Sequence, residues 1–197
     1  MRILVVGATG HIGRVVAREL AQRHEVLQVS RSSQISVDLT DPESIAGMYA
    51  RIGTVDAVIS CTGKAPFKPL DQLSRDDFLG GFADKALGQI ELVRQGLEHL
   101  SEGGSFTVTS GILAREPIRT GVASSAANGA LESFVMAASA ELPRGLRINA
   151  VSPSVLQSAP GYHSAFPGFE QVTDEQVGRA YVRSVEGVET GKIFTVG

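Results

Sequence analysis

Short apolar runs alternate with segments of helical periodicity along the whole chain of 197 residues. Six runs have the length of buried strands: Arg2–Val6, Val26–Val29, Val55–Ser60, Phe106–Thr109, Arg147–Val151 and Lys192–Val196. Strands that are separated by helices need crossover connections, and such connections place helices on both faces of a parallel sheet. The pattern therefore predicts an α/β fold with a doubly wound, mainly parallel sheet that is flanked by helices on both faces.

Three segments between the apolar runs carry clear helical stripes. Their apolar positions are Val15, Val16 and Leu20; Ile90, Leu92, Val93, Leu97 and Leu100; and Leu131, Phe134, Val135, Ala138 and Leu142. Spacings of three and four residues put each set on one helix face. No repeat, low-complexity tract or change of composition marks a boundary, so we expect residues 1–197 to form a single domain.

Two connections depart from the alternating pattern. The second run ends near Ser30, and the next apolar stretch, Ile35–Leu39, follows after only a few residues. A parallel crossover usually takes a dozen residues or more, so the second helix is expected to be shortened or lost. The stretch Ile35–Leu39 is then either a vestigial strand or an edge loop. Residues 156–173, interrupted by prolines and glycines, are expected to form a long substrate loop.

Composition excludes several classes of partner. The chain has 18 basic and 21 acidic residues and a formal net charge of −3, which argues against a basic nucleic-acid-binding face. Its apolar runs are far shorter than the ~20 residues that span a bilayer, and no signal peptide precedes the first strand, so we expect a cytoplasmic protein without a membrane partner. A single cysteine and four scattered histidines predict neither a disulfide framework nor a metal site.

A glycine-rich turn, GATGHIG, lies between the first strand and the first helix. We assign Gly7 to the tight turn, Gly10 to the close approach of a pyrophosphate, and Gly13 to packing of the helix on the strand. The helix amino end, with Thr9, His11 and Ile12, is then expected to face the phosphates. The spacing G-x-x-G-x-x-G differs from G-x-G-x-x-G, and the alternative is a purely structural turn. The context favours a Rossmann-type dinucleotide site.

The end of the second strand predicts which dinucleotide binds. An acidic residue at this point holds the ribose hydroxyls of NAD, whereas an arginine accommodates the 2′-phosphate of NADP. The sequence here contains Arg31 and Ser32 among further serines, and no carboxylate. A guanidinium binds two phosphate oxygens in a fork. NADP is therefore favoured over NAD, with a solvated loop arginine as the alternative.

Later segments of the chain resemble the short-chain dehydrogenase/reductase family. The resemblance rests on Val37–Thr40, Ser60–Gly63, Phe106–Gly111, Arg147–Val155 and Thr190–Ile193, which match family motifs in order and spacing. It implies cofactor contacts from Asp38, Leu39, Cys61, Thr62, Gly63, Pro153 and Val155, and it identifies Ser110 with the active-site serine.

The same resemblance exposes a missing catalytic pair. The family carries Y-x-x-x-K on its fifth helix, but the matching positions here are Ser124 and Asn128. Lys85 fits the position of the family's asparagine on the fourth helix. We therefore consider Ser110 and Lys85 as candidate catalytic residues, with Ser124 and Asn128 marking the places of the absent tyrosine and lysine.

Each candidate also has a structural interpretation. Ser110 either orients a substrate carbonyl or caps a turn at a strand end. Lys85 is either a buried group with a lowered pKa or, somewhat favoured, a helix-surface lysine paired with Asp84 or Glu91. Lys64 either reaches the cofactor or extends into solvent, and Cys61 is best interpreted as a small buried side chain. Tyr162 and His163 lie in the predicted substrate loop, either as proton donors or as surface residues.

These features predict an NADP(H)-dependent oxidoreductase that acts on a small carbonyl, alcohol or quinone-like substrate. The main alternative is an NADP(H)-binding sensor or regulatory protein that has lost the chemistry; an epimerase is less well supported, because that chemistry also relies on the missing tyrosine. Small residues are frequent between Ala123 and Ala140. Together with the family resemblance, they predict a homodimer or homotetramer formed through helices four and five.

Overall fold

The computed structural model describes residues 1–197, and a six-stranded parallel sheet forms its centre. The strands are β1 (Arg2–Val6), β2 (Glu25–Val29), β3 (Val55–Ser60), β4 (Leu100–Thr109), β5 (Arg147–Pro153) and β6 (Ile193–Val196). Their spatial order is β2-β1-β3-β4-β5-β6. The chain first adds β2 on one side of β1 and then adds β3 to β6 on the other side, so the strand order reverses at β1. All six predicted apolar runs coincide with strands, apart from Lys192, which precedes β6. A crevice forms at such a reversal, outside the carboxyl ends of the strands.

Helices cover both faces of the sheet. They are α1 (His11–Leu20), α2 (Pro42–Ile52), α3 (Arg75–Phe82), α4 (Gly88–Gly96), α5 (Val122–Ala138) and α6 (Asp174–Glu186). One buried cluster contains Val16 of α1 and Val177 of α6, and a second contains Ile45 of α2, Leu92 of α4 and Leu131 of α5. The doubly wound α/β architecture predicted from the sequence is thus confirmed.

Local caps explain where three of the helices begin. Asp41 accepts a hydrogen bond from the Glu43 backbone N–H at the start of α2, where Pro42 occupies the first turn. Ser74 and Asp77 form a capping box at α3, and Thr173 and Gln176 form another at α6.

The helix that precedes β4 ends earlier than its apolar stripe predicts. Leu97 lies in a short 3-10 turn and Leu100 already belongs to β4, so the expected start at Phe106 was wrong. Both Leu100 and Ser105 pair with β3, and residues 101–104 bulge between them. This polar bulge breaks the apolar run in the sequence although the strand continues. The stripe in α5 likewise overshoots, because the helix ends at Ala138 and excludes Leu142.

The two irregular connections each close through one bridge. Residues 31–35 form turns and bends without a helix, and Ser30 pairs with Ser36 in a single parallel bridge. Leu156 pairs with Val172, which joins the two ends of the 156–173 segment. That segment contains a 3-10 helix, Pro160–Ala165, and is therefore more ordered than its sequence indicated. No helix of the chain has both the length and the apolar character needed to cross a membrane.

Candidate active site

A cleft of about 730 Å³ opens where β1, β3, β4 and β5 end, at the carboxyl edge of the sheet. Its volume suits a cofactor or a drug-sized ligand. Its walls contain every residue predicted to contact the cofactor except Gly13, together with the four positions considered for catalysis: Gly7, Thr9, Gly10, His11, Ile12, Arg31, Ser32, Asp38, Leu39, Cys61, Thr62, Gly63, Pro153 and Val155, and Lys85, Ser110, Ser124 and Asn128. Parallel strands bring these distant segments together at one edge.

The glycine-rich turn crosses one wall of this cleft. Gly7 has a φ of 82°, and its N–H donates to the Val29 carbonyl at 2.8 Å. Gly10 begins α1 without a side-chain cap, and the first helical turn contains no acidic residue. The amino end of α1 therefore offers uncapped N–H groups and a partial positive charge to an anion.

Gly13 has a packing role instead of a place in the cleft wall. A Cβ atom at this position would lie 2.1 Å from the Gly7 carbonyl oxygen. Such a separation is far inside van der Waals contact, so only glycine lets α1 approach the turn this closely.

Arg31 lies at the end of the cleft formed by β2 and the following turn. It is exposed, lines the cleft, and makes no hydrogen bond or ion pair with the rest of the chain. The Ser33 side chain holds the backbone beside it, since its Oγ lies within hydrogen-bond distance of the Ser30 and Ile35 carbonyl oxygens, at 3.0 and 2.7 Å. The guanidinium thus extends from an ordered turn and is free to bind an anion.

Asp38 lines the same end of the cleft with one oxygen already engaged. Its Oδ1 accepts from the Thr40 N–H at 3.0 Å and from the Thr40 hydroxyl at 2.8 Å. These hydrogen bonds, helped by the nearby charge of Arg31, hold the pKa of Asp38 below its usual value. The carboxylate is therefore charged and fixed in orientation.

Lys85 lies on a π-helical turn, Ala83–Leu87, between α3 and α4. Single π turns are rare and frequently mark functional positions in helices. The Lys85 side chain is buried, and its Nζ donates to the Thr109 and Ser110 carbonyls at 2.9 and 3.3 Å. The expectation of a helix-surface lysine paired with Asp84 or Glu91 was wrong. Glu91 pairs with Arg94 instead, and the Asp84 carboxylate accepts the backbone N–H of exposed Lys64.

The surroundings of Lys85 explain how a lysine is held there. Gln89 is fully buried, and its amide donates to the Lys85 and Thr109 carbonyls. Gly63, with a φ of 102°, lets the chain pass so close that a Cβ would lie 2.7 Å from the Lys85 Cα. Burial of the ammonium lowers the pKa of Lys85 to about 8. At neutral pH the group is charged, yet it releases its proton more readily than a surface lysine.

Ser124 and Asn128 lie one turn apart on α5, and both side chains are buried at the cleft wall. The Asn128 Nδ2 approaches Ser124 Oγ at 3.5 Å. Asn128 Oδ1 is buried and has no hydrogen-bond partner. A buried acceptor without a partner is costly, so this oxygen is suited to a hydrogen-bond donor on a ligand in the cleft.

Ser110 is held by two charged residues that the sequence analysis did not identify. Its hydroxyl donates to Glu132 Oε1 at 2.7 Å, and Arg115 Nη1 donates to both Glu132 oxygens at 2.8 and 2.6 Å. Arg115 Nη2 also reaches Ser152 Oγ on β5 at 2.7 Å. One available signal was Glu132 itself, a carboxylate placed directly after Leu131 within the apolar stripe of α5.

Cys61 follows β3 and lines the cleft beside the glycine-rich turn. Burial raises the pKa of its thiol to about 12. A thiol with so high a pKa is a poor nucleophile. Cys61 therefore contributes packing at this wall and no thiolate chemistry.

The 156–173 segment closes the far side of the cleft. Tyr162 and Phe166 line the cleft, with Tyr162 exposed. His163 does not line it, because its Nε2 is hydrogen-bonded to the Leu156 carbonyl at 2.9 Å. Ser158 connects this segment to the glycine-rich turn through His11 Nε2 at 2.6 Å.

The comparison with protein families matches residues 6–193 to a model described as "Enoyl-(Acyl carrier protein) reductase". The match covers almost the whole chain, including the glycine-rich turn, the strand ends and the segment around Lys85. Together with the fold, it shows that the chain belongs to the short-chain dehydrogenase/reductase family.

Several curated relatives of the chain are named as reductases. The hydroxynaphthalene reductase arp2 of Aspergillus fumigatus is 26% identical over 180 residues, which cover 79% of this chain and 66% of that protein. Elsinochrome reductase 1 of Elsinoe fawcettii is 24% identical over 204 residues, covering 88% of this chain and 76% of that one. The chain thus spans about two thirds to three quarters of the length of these two relatives.

Solved structures include one that matches the chain from end to end. The protein lin1944 from Listeria innocua has a TM-score of 0.98 and 41% sequence identity, with full coverage of both chains. A small-chain dehydrogenase solved in complex with NADPH has a TM-score of 0.88 and 25% identity, covering 100% of this chain and 96% of that chain.

Proposed function

We propose that the protein is an NADP(H)-dependent oxidoreductase that acts on a small carbonyl, alcohol or quinone-like compound. The observation that carries this proposal is the buried Lys85 ammonium in the wall of a cleft that also contains the dinucleotide-type turn. The lysine offers a proton donor where the family's tyrosine and lysine are replaced by Ser124 and Asn128. The similarity to named reductases supports the same reaction class.

The cleft residues fit a nicotinamide dinucleotide phosphate. The amino end of α1 would hold the pyrophosphate, and unpaired Arg31 would hold a 2′-phosphate. The buried Asn128 Oδ1, which lacks a partner, would accept a ribose hydroxyl. A structural neighbour solved with NADPH supports this choice of cofactor. When bound, such a cofactor supplies or accepts the hydride.

Lys85 would handle the proton that accompanies the hydride. Two of its N–H groups are occupied by the Thr109 and Ser110 carbonyls, which leaves one to donate to a substrate oxygen. A pKa of about 8 lies close to neutral pH, where a general acid is most effective. In the reductive direction Lys85 gives this proton to the developing alkoxide or phenolate, and solvent reprotonates the amine.

The remaining walls favour an apolar, planar substrate. Ile112 and Leu113 follow Ser110 at the cleft, and Phe67, Tyr162 and Phe166 add aromatic rings. Residues 156–173 would cover the substrate. Relatives named for hydroxynaphthalene reduction also point to aromatic carbonyl compounds. A quinone is a suitable acceptor because its reduced oxygens need little help from an acid.

The decisive experiment measures cofactor binding and turnover separately. We expect calorimetric titration to show NADPH binding, and we expect NADPH oxidation in the presence of a quinone such as 1,4-naphthoquinone. With a carbonyl substrate, Lys85→Met should lower kcat by about 10²–10⁴-fold while NADPH still binds, and with the quinone the loss should be smaller. Exposed Lys192→Met, on the opposite side of β5, serves as the matched control.

Two results would contradict the proposal in different ways. Absence of NADPH and NADH binding would reject the dinucleotide site. Tight binding of NADPH without reduction of any carbonyl or quinone in a broad screen would favour a cofactor-binding sensor, the alternative that the missing tyrosine and lysine leave open.

We further propose that two copies of the chain associate through α3, α4 and α5. A groove between α3 and α5 is lined by Phe78, Leu79 and Phe82 on one side and by small alanines on the other. Several apolar side chains on this face are exposed in the single chain, among them Leu79, Phe82, Leu87 and Met136. An apolar face of this kind is typical of a subunit interface.

A further inference from the structure

We propose that Glu132 and Arg115 fix Ser110 as a hydrogen-bond acceptor, so that the substrate end of the cleft recognises a hydroxyl group beside the reacting carbonyl. The inference deepens the proposed function, on which it rests, by naming the substrate class: a neutral, planar aromatic compound with a hydroxyl next to its carbonyl. It reverses the role expected of Ser110, which was to donate a hydrogen bond to that carbonyl.

The direction of the Ser110 hydrogen bond follows from its partner. A carboxylate paired with a guanidinium can only accept hydrogen bonds, and Glu132 lies 2.6 and 2.8 Å from Arg115 Nη1. The single hydroxyl hydrogen of Ser110 therefore points at Glu132 Oε1, 2.7 Å away. Since Ser110 lines the cleft, only its lone pairs remain for a ligand.

Four elements hold this arrangement in place. Ser110 follows β4, Glu132 lies on α5, Ser152 lies on β5, and Arg115 follows the 3-10 helix Ile112–Ala114. Arg115 connects Glu132 with Ser152, so the carboxylate cannot turn away from Ser110 without losing a bidentate pair. Ser110 and Glu132 are both buried, with exposed fractions of 4% and 9%. Glu132 and Arg115 thus act as positioning residues.

A hydrogen-bond donor contacts the backbone of the same serine, and both residues line the cleft. Lys85 Nζ is 3.3 Å from the carbonyl oxygen of Ser110 itself. A ligand that satisfies both side chains presents an acceptor to Lys85 and a donor to Ser110 on neighbouring atoms. A carbonyl with a hydroxyl beside it has this pattern. The apolar walls, with Ile112 and Leu113 next to Ser110, suit an aromatic body for such a ligand.

Binding of two matched probes tests the inference without requiring turnover. The probes are 1-naphthol and 1-methoxynaphthalene, which differ in the hydroxyl hydrogen, and their dissociation constants are measured with the protein saturated with NADP⁺. We expect the naphthol to bind about fivefold more tightly, as one added hydrogen bond implies. Ser110→Ala should bring this ratio close to one.

Glu132→Gln separates positioning from simple structural support. The glutamine amide can donate to Ser110 Oγ, so the serine hydrogen is released toward the cleft and the preference should shift toward the methoxy probe. If Glu132 had a merely structural role, the variant would bind both probes more weakly by the same factor, and the ratio of their dissociation constants would not change. Thermal unfolding and NADP⁺ affinity of each variant show that it is folded.

Equal binding of the two probes by the wild-type protein would overturn the inference, as would a naphthol preference that survives in Ser110→Ala. The same titrations without cofactor keep this outcome separate from the proposed function. A hydroxyl preference in a protein that fails to bind NADP⁺ would reject the cofactor proposal alone.

Discussion

Burial changes the chemistry of Lys85 without removing its charge at neutral pH. Its ammonium is stabilised by two carbonyl oxygens, while loss of water lowers its pKa to about 8. These opposing effects leave the proton available close to the pH of the cell. If Ser124 occupies the position of the family's tyrosine, as the sequence resemblance implies, we expect the titration of Lys85 to govern the reaction.

We expect the reductive kcat to fall as the pH rises through about 8, because Lys85 donates its proton only while it is charged. The oxidative direction requires the neutral amine, so its kcat should rise over the same range. Stopped-flow measurement at saturating cofactor, from pH 6 to 10, checks both limbs. In Lys85→Met the step near pH 8 should disappear; a step that persists there would assign the titration to another group.

In the proposed cofactor site, we expect Arg31 to govern the choice between NADPH and NADH. Its guanidinium has no partner in the chain, and no carboxylate competes for the position at the end of β2. We expect NADPH to bind at least about tenfold more tightly than NADH. Arg31→Ala should weaken NADPH selectively, measured by calorimetry.

The matched control for this change is Arg51→Ala, an exposed arginine near the end of α2. It should leave both affinities unaltered. Equal affinity of the wild-type protein for the two cofactors would remove the basis for assigning Arg31 to the 2′-phosphate.

At the scale of elements, the close packing of α1 against the glycine-rich turn depends on Gly13. A methyl group at this position would meet the Gly7 carbonyl oxygen at 2.1 Å, so Gly13→Ala must push the helix away from the turn. We expect a loss of about 1–3 kcal/mol in the free energy of unfolding, the usual cost of overpacking. Denaturant unfolding measures it.

Gly47→Ala provides the control within α2, since a Cβ there meets nothing within 4 Å. Alanine is the better helix former, so this variant should gain about 0.5–1 kcal/mol. If Gly13→Ala proved as stable as Gly47→Ala, the close packing of α1 on the turn would be disproved.

Elements with continuous apolar patterns could be predicted from the sequence, and others could not. All six strands came from their apolar runs, because parallel strands buried on both faces have near-continuous apolar sequences. The start of β4 was predicted wrongly, because a polar bulge interrupts its apolar run. The caps at Asp41, Ser74 and Thr173 were local signals for α2, α3 and α6 that an apolar periodicity search does not detect.

The candidate site was predictable in its backbone parts and less so in its side-chain network. Motifs place Gly7, Asp38 and Gly63 at the ends of strands, and parallel strands bring those ends together. The burial of Lys85 depends on a π turn and on Gln89, neither of which has a sequence signature. The Arg115–Glu132 pair joins residues 17 positions apart through tertiary packing.

At the scale of the whole molecule, the candidate active site and the proposed subunit interface involve the same helices. Lys85 lies on the π turn between α3 and α4 and faces the cleft, whereas Phe82 and Leu87 on either side of it are exposed. On α5, Asn128 lines the cleft while Met136 is exposed. A subunit interface on this outer face would therefore stabilise the helices that contribute residues to the candidate active site.

We expect the wild-type protein to sediment as a dimer or tetramer of its 20.7 kDa chain at micromolar concentration. Phe82→Glu places a charge in the apolar groove between α3 and α5, so it should release 20.7 kDa monomers because a buried unpaired charge opposes association. Val188→Glu, at a position 90% exposed and outside this face, adds the same charge and should leave the assembly intact. Sedimentation velocity compares the three proteins. A wild-type protein that remains monomeric, or a Phe82→Glu variant that still assembles, would show that this face does not join the subunits.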